Sequence, residues 1–198
     1  MEKKTMVEDH LNSLKRFEKE DNYSMIVRHK KALTVELHFA AKKGHYEIVK
    51  LITEDGLLDE KDGTGKTALH LAAMNGHIEI CHQIISLGSQ FCPLDYDERT
   101  PLHNAAENGH LEICQLIIEC LKDEGLPVNP RDREGITPLQ LTKNEEIKEL
   151  IGNLISPNQT NQIQGAKLMK GIGSRVSAYL REKLGEFTPK ETESRKHP

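Results

Sequence analysis

The chain has 198 residues, of which 36% are hydrophobic, and a formal net charge of −4. This apolar content is low for a compact globule and argues against a single large core. The charge is uneven, because residues 33–156 carry 11 basic and 21 acidic side chains, whereas residues 1–32 and 157–198 have net charges of +2 and +4. An acidic central region disfavours a nucleic-acid partner.

Residues 1–32 are predicted to form a charged N-terminal helical cap, with a break at Asp21-Asn22. The first residues lead directly into charged positions, and no apolar run approaches the length of a membrane span, so neither a signal peptide nor a transmembrane segment is expected. The four cysteines fall in apolar helical patterns or turns rather than in a disulfide framework. Reduced cysteines of this kind favour a cytoplasmic protein.

A repeat with a period of about 33 residues follows. Leu37-His38 recurs as Leu69-His70 and Leu102-His103, at steps of 32 and 33 residues. A Gly-His pair recurs at the same steps, as Gly44-His45, Gly76-His77 and Gly109-His110. Such a period is typical of a stacked array, in which each unit buries its apolar face only against its neighbours. An extended array favours binding over catalysis.

Each part of the unit has a physical role. An Asp and a Gly make a turn, Thr67, Thr100 and Thr137 can cap a helix, and Pro101 and Pro138 stand at the first helical position. Paired alanines keep the first helix thin, and the second helix carries an apolar stripe at helical spacing. The unit is therefore predicted to be a helix–turn–helix preceded by a turn.

The segment Thr100–Ala106, with the sequence TPLHNAA, resembles the ankyrin repeat motif, and the resemblance extends over residues 33–155. It implies an all-α ankyrin-repeat solenoid of about four stacked helix-turn-helix units with short β-turn or hairpin fingers between them. It also implies a non-catalytic protein–protein interaction module.

Several positions depart from the motif. Val35-Glu36 replaces its Thr-Pro, which suits an N-terminal unit. Glu98 stands where the finger turn normally has glycine, so we expect a distorted turn between Asp95 and Thr100. The third unit is four residues longer, enough for about one more helical turn. The fourth is shorter and more polar, as a terminal unit requires.

In this family, partners usually contact the finger tips and the exposed ends of the first helices. Carried over to this sequence, the partner-binding positions are Lys61, Lys66, Met74, Asn75, Leu94, Tyr96, Asp97, Arg99, Glu107, Asn108, Arg131 and Arg133. The basic members would form a row on an acidic slab, which predicts a protein partner with an acidic segment. The alternative is that these are ordinary solvated turn residues. We expect the chain to be a monomer.

After the repeats, residues 156–165 read as a polar linker, 166–187 as a basic amphipathic helix and 188–198 as a disordered tail. The helix could dock on the last repeat, bind a partner or a membrane surface separately, or remain disordered. If it acts separately, the alternative function is a targeting or regulatory protein, including a bacterial effector delivered into the host cytosol, with this helix as the active element.

No catalytic, cofactor or metal site is predicted. The segment 63–67, with the sequence GTGKT, lacks the first glycine and the preceding strand of a phosphate-binding loop, and Glu60 and Asp62 would repel phosphate. The histidines fall mostly at motif positions and have no zinc-site spacing. We interpret the glycines of this segment as part of a finger turn.

Overall fold

The computed structural model describes residues 2–20, 22–53, 57–90 and 92–155, and within these ranges it contains helices and turns but no strand. The predicted linker, amphipathic helix and tail lie outside the described residues. The helices are α1 (Glu2–Lys19), α2 (Tyr23–Lys43), α3 (Tyr46–Thr53), α4 (Ala68–Asn75), α5 (Ile78–Ser86), α6 (Pro101–Glu107), α7 (Leu111–Asp123), α8 (Pro138–Leu141) and α9 (Glu145–Gly152).

Helices α2 to α9 form four consecutive pairs that stack into a solenoid. The first helices of the pairs, α2, α4, α6 and α8, contact one another in series, and so do the second helices, α3, α5, α7 and α9. We call the first helices of the pairs, α2, α4, α6 and α8, the inner helices. The first three inner helices carry the alanine pairs, which are fully buried: Ala40, Ala41, Ala72, Ala73, Ala105 and Ala106. Their small side chains allow the close approach that the sequence predicts.

Helix α1 covers the first end of the stack. Its buried residues Val7, Leu11 and Leu14 share one helical face, and α1 packs against α2 and α3. The side chain of Asn22 accepts a hydrogen bond from the Met25 N–H and caps α2. Helix α2 passes residues 32 and 33 without interruption, so the boundary predicted there lies within one helix.

Buried histidines fasten each inner helix to the next finger. The Nδ1 atoms of His70 and His103 accept the backbone N–H of Thr67 and Thr100 at 3.2 and 3.1 Å. Each Nε2–H then donates to the next finger, at the carbonyl of Arg99 (3.0 Å) or Ile136 (3.3 Å). Nδ1 can accept a hydrogen bond only in the neutral ring, and burial lowers the pKa of each of these two histidines to about 4.

The turn at Glu98 is not distorted, which corrects the expectation from the sequence. Glu98 adopts a φ of 60°, in the left-handed region occupied by Gly65 (81°) and Gly135 (80°) at the same position of the other fingers. Its N–H bonds the Asp95 carbonyl at 3.1 Å, as Gly135 does with Asp132 at 2.9 Å. The surrounding hydrogen bonds hold a non-glycine residue in a conformation that costs about 1–2 kcal/mol.

Candidate partner-binding surface

The finger row consists of residues 61–66, 94–99 and 131–136, which precede α4, α6 and α8. In each finger an aspartate closes the turn: Oδ1 of Asp62, Asp95 and Asp132 accepts two backbone N–H groups, at distances between 2.8 and 3.0 Å. Burial alone would raise the pKa of these carboxyls, but the hydrogen bonds outweigh it and hold each pKa below its usual value. The aspartates are therefore ionised parts of the framework.

Backbone hydrogen bonds join neighbouring fingers. The Tyr96 N–H donates to the Thr64 carbonyl at 3.3 Å, and the Arg133 N–H donates to the Asp97 carbonyl at 2.9 Å. Each finger tip is thus held by the tip before it as well as by its own aspartate. The row forms a connected edge rather than a set of independent loops.

Two of the predicted contact residues take part in this framework. Lys66 Nζ lies 3.1 Å from Oδ2 of the buried Asp95, and Arg99 Nε lies 3.1 Å from Oδ2 of the buried Asp132. A second guanidinium nitrogen of Arg99 lies 3.1 Å from Glu107 Oε2. The sequence did not predict the pairs of Lys66 with Asp95 and of Arg99 with Asp132, because these partners stand 29 and 33 positions apart along the chain. The charges of Lys66 and Arg99 are balanced within the array.

The remaining finger cations stand beside acids of similar number. Lys61, Arg131 and Arg133 are exposed, but so are Asp97, Glu98 and Glu134. Lys61 Nζ also donates to the Leu94 carbonyl at 2.7 Å, and Arg131 donates to the Gly135 carbonyl at 2.9 Å. The finger row therefore presents mixed charge instead of the basic row predicted from the sequence.

Tyr96 is the large aromatic residue of the finger row, and the residue is 56% exposed. It lies against Gly65 of the preceding finger, where an added Cβ would come within 2.6 Å of both Tyr96 Cδ1 and the Tyr96 backbone N. Glycine is favoured at position 65 for two reasons: the positive φ and the lack of room for a Cβ atom beside Tyr96. The array thereby presents a supported ring to solvent.

The predicted helix-end positions lie at the ends of α4 and α6. Asn75 and Asn108 are exposed, and each amide donates at 2.8 Å to the carbonyl four residues earlier. Met74 is half-buried, and its carbonyl accepts a hydrogen bond from His110 Nε2 at 3.1 Å. The end of α4 is thus held by the following unit.

The array brings the end of α6 next to the start of α9, which the sequence did not predict. An open cleft of about 610 Å³ lies between them, lined by Glu107, Asn108, Gly109, Lys143, Asn144, Glu145 and Glu146. Three carboxylates and one ammonium give its walls a net negative charge. Two of the predicted contact residues thus lie in an acidic cleft.

Helix α2 also exposes apolar side chains that were not predicted from the sequence. Val35 is 62% exposed and Phe39 39% exposed, although their equivalents in the next unit, Thr67 and Leu71, are buried. Lys3 Nζ lies 3.8 Å from the centre of the Phe39 ring. The available signal was the replacement of the motif threonine by Val35, an apolar residue that lies within α2 rather than at a helix cap.

The segment 63–67 is a finger turn followed by a helix cap. The Thr64 hydroxyl donates to Asp62 Oδ1 at 2.7 Å, and Thr67 precedes α4. All four cysteines are free and buried, and burial raises the pKa of each thiol to about 12. The described residues contain no cluster of three potential metal ligands, and none of their helices has the length and apolar character to cross a bilayer.

These features define a repeat protein of stacked helical pairs with an exposed finger edge. The family model for ankyrin repeats matches three copies, over residues 37–132 and 90–162. The chain belongs to the ankyrin-repeat family, as its sequence predicts. Ankyrin repeats are in general protein–protein interaction modules and are typically non-catalytic.

Curated relatives match through short segments. The chain is 48% identical over 56 residues to the FYVE zinc finger domain protein UPA1 of Mycosarcoma maydis and 43% identical over 63 residues to human diacylglycerol kinase iota. It is 30% identical over 124 residues to a Caenorhabditis elegans homolog of transient receptor potential cation channel subfamily A member 1. These matches cover 27%, 30% and 62% of this chain but only 4%, 6% and 10% of the relatives.

Proposed function

We propose that this chain is a non-catalytic binding module whose protein partner lies across the finger row and the exposed ends of the inner helices. One observation carries the proposal: Tyr96 is more than half exposed, and its ring lies against Gly65 of the preceding finger. Tyrosine is among the residues that contribute most to binding energy, because it offers a large contact area with few rotatable bonds.

The framework of the fingers supports the same proposal. Three aspartates, two inter-finger backbone hydrogen bonds and two ion pairs to buried carboxylates fix the edge before any partner arrives. A preformed surface loses little conformational entropy on binding, so more of the contact energy appears as affinity. Partner recognition is therefore expected to proceed with little rearrangement of the backbone.

We also propose that the partner contributes an acidic segment to this contact. An acidic segment would contact the exposed cations Lys61, Arg131 and Arg133, whereas Lys66 and Arg99 contribute mainly to the array. Since Asp97, Glu98 and Glu134 stand beside these cations, the predicted preference is modest. Binding should weaken only slightly with added salt, and a steep salt dependence would instead indicate a strongly acidic partner.

Affinity capture with quantitative mass spectrometry tests the proposal. The baits are the intact chain, a Tyr96→Ala/Arg133→Ala variant and a control variant with exposed residues of α7 replaced, Gln115→Ala/Lys122→Ala. Circular dichroism checks that all three remain equally helical. We expect partners of the intact chain and of the control to be absent from the finger variant.

A fourth bait that ends at Ile155 addresses the alternative function, in which the basic C-terminal segment is the active element. Partners lost only from this shorter bait would assign recognition to residues 156–198 and would contradict the finger proposal. Partners kept by the shorter bait and lost from the finger variant would support it. We also propose that the chain is a monomer and that it is cytoplasmic, a location that buried reduced cysteines favour.

A further inference from the structure

The last unit leaves an apolar face uncovered within the described part of the chain. Leu37, Leu69 and Leu102 occupy the same position of the first three units and are 0% exposed, because another unit packs on each. Leu139 holds this position in the fourth unit and is only partly buried. Leu150, Leu154 and Ile155 are also partly exposed there. We call these four residues the terminal face.

The short inner helix explains the exposure. Helix α8 has four residues, and Pro138 is the only one of them that is buried. Helix α9 secures itself to the stack through Ile147 and Ile151. Among the described residues, no further unit packs against the other apolar residues of the fourth unit. A following unit would have buried them, as it does in the first three units.

The helix that contributes to the terminal face, α9, is rich in acidic side chains. Helix α9 carries Glu145, Glu146 and Glu149, and its cation Lys148 lies 2.7 Å from Glu145 Oε1. Glu145 and Glu146 also line the acidic cleft together with Glu107. A segment that combines apolar residues with positive charge would match both properties of this region.

We propose that residues 166–184 of the same chain bind the terminal face. This segment lies outside the described residues, and its sequence has the required chemistry. Apolar residues recur every fourth position, at Leu168, Ile172, Val176, Leu180 and Leu184. Basic residues stand beside or between them, at Lys167, Lys170, Arg175, Arg181 and Lys183. A helical conformation would gather the apolar set on one side, toward the terminal face.

The connection is long enough for this arrangement. The last described residue is Ile155, three residues after the end of α9, and ten residues separate it from position 166. Ten residues span up to about 33–36 Å when extended, whereas the eight residues of α9 measure about 12 Å. The segment can therefore return over α9 and α8 within one molecule, where its effective concentration is high.

Hydrogen exchange in the intact chain tests the proposal. Ile172→Asp/Val176→Asp places two charges on the apolar side of the segment, and Ser174→Asp/Ala178→Asp places the same two charges on the opposite side. We expect the first variant to speed exchange of the α9 amides at least tenfold, equivalent to about 1.4 kcal/mol of lost protection. The second should leave these rates unchanged, and α1 serves as an internal reference in both.

Equal α9 exchange in the two variants would overturn the proposal. A second measurement locates the segment directly, with a nitroxide attached to Ser174→Cys. The native cysteines are buried, so the reagent reacts at the introduced one. Broadening of the Leu139, Leu150 and Leu154 amides is expected, and broadening centred on α1 would contradict it. Protection of α9 that rises with protein concentration would also contradict it, because the segment would then cover a second copy.

Discussion

Replacement of His103 by glutamine should reverse the stability order of variant and wild type between neutral and mildly acidic pH. His103 is fully buried, its Nδ1 accepts the Thr100 N–H, and its Nε2–H donates to the Ile136 carbonyl. The fourth unit provides a natural precedent, since Gln140 Oε1 accepts the Thr137 N–H at 2.9 Å. Glutamine can therefore keep the cap while removing a titrating group.

The magnitude follows from proton linkage. Burial lowers the pKa of His103 from 6.5 to about 4, so the unfolded chain takes up a proton that the folded chain refuses. The stability that His103 contributes is complete above pH 6.5 and is lost as the pH falls toward 4. The slope is at most about 1.4 kcal/mol per pH unit, and the total is about 3 kcal/mol. At about pH 5 the loss from this residue is about 2 kcal/mol.

The variant loses the hydrogen bond to Ile136, which we set at about 1 kcal/mol. His103→Gln should therefore be about 1 kcal/mol less stable than wild type at pH 7 and about 1 kcal/mol more stable at about pH 5. Urea unfolding followed by circular dichroism measures both differences. The control is His45→Gln, which replaces an exposed histidine and should show no reversal.

If the difference in unfolding free energy between His103→Gln and wild type were the same at pH 7 and at about pH 5, the lowered pKa of His103 would be contradicted. It would mean that the folded array accommodates the charged ring, although Nδ1 could then no longer accept the Thr100 N–H. The finger aspartates do not confuse the result. Their pKa values are lowered, so the stability they contribute is lost only below their usual value of 3.8, outside the histidine range.

Three further predictions concern the fingers and the core. Glu98→Gly should raise the free energy of unfolding by about 1 kcal/mol, because glycine adopts the left-handed backbone conformation of this position without strain. Glu98→Ala should give no such increase, and thermal unfolding compares the two variants. Gly65→Ala should cost more than Gly135→Ala in the same assay, since only Gly65 lies against Tyr96; equal costs would contradict the close approach. The cysteines, with pKa values raised to about 12, should resist a thiol reagent at neutral pH until urea unfolds the chain, and fast labelling of the native protein would disprove their burial.

Local rules made most of the fold predictable. The alanine pairs, the threonine caps and the Pro at the first helical position act within a few residues, so the sequence alone revealed them. The thirteen-residue α7, against nine residues in α5, contains the predicted extra turn. The finger at Glu98 is the exception, because hydrogen bonds within this finger and to its neighbours overrode the preference of the turn for glycine.

The surface was less predictable, for a physical reason. Residue types pointed to Lys66 and Arg99 as contacts, yet their charged groups pair with Asp95 and Asp132 of the following finger. Such pairs depend on how one unit stacks on the next, which composition does not reveal. The support of Tyr96 by Gly65 and the acidic cleft beside Glu107 have the same origin. Whether the predicted positions contact a partner remains a prediction.

Recognition of a partner through the finger row is tested most directly by the dissociation constant of a captured partner. Titration calorimetry measures it for wild type, Tyr96→Ala and Gln115→Ala. Loss of a central aromatic contact is worth about 2 kcal/mol or more, so Tyr96→Ala should weaken binding about 30-fold. Gln115→Ala, on α7, should change it less than twofold. Equal affinities of all three proteins would contradict recognition through the finger row.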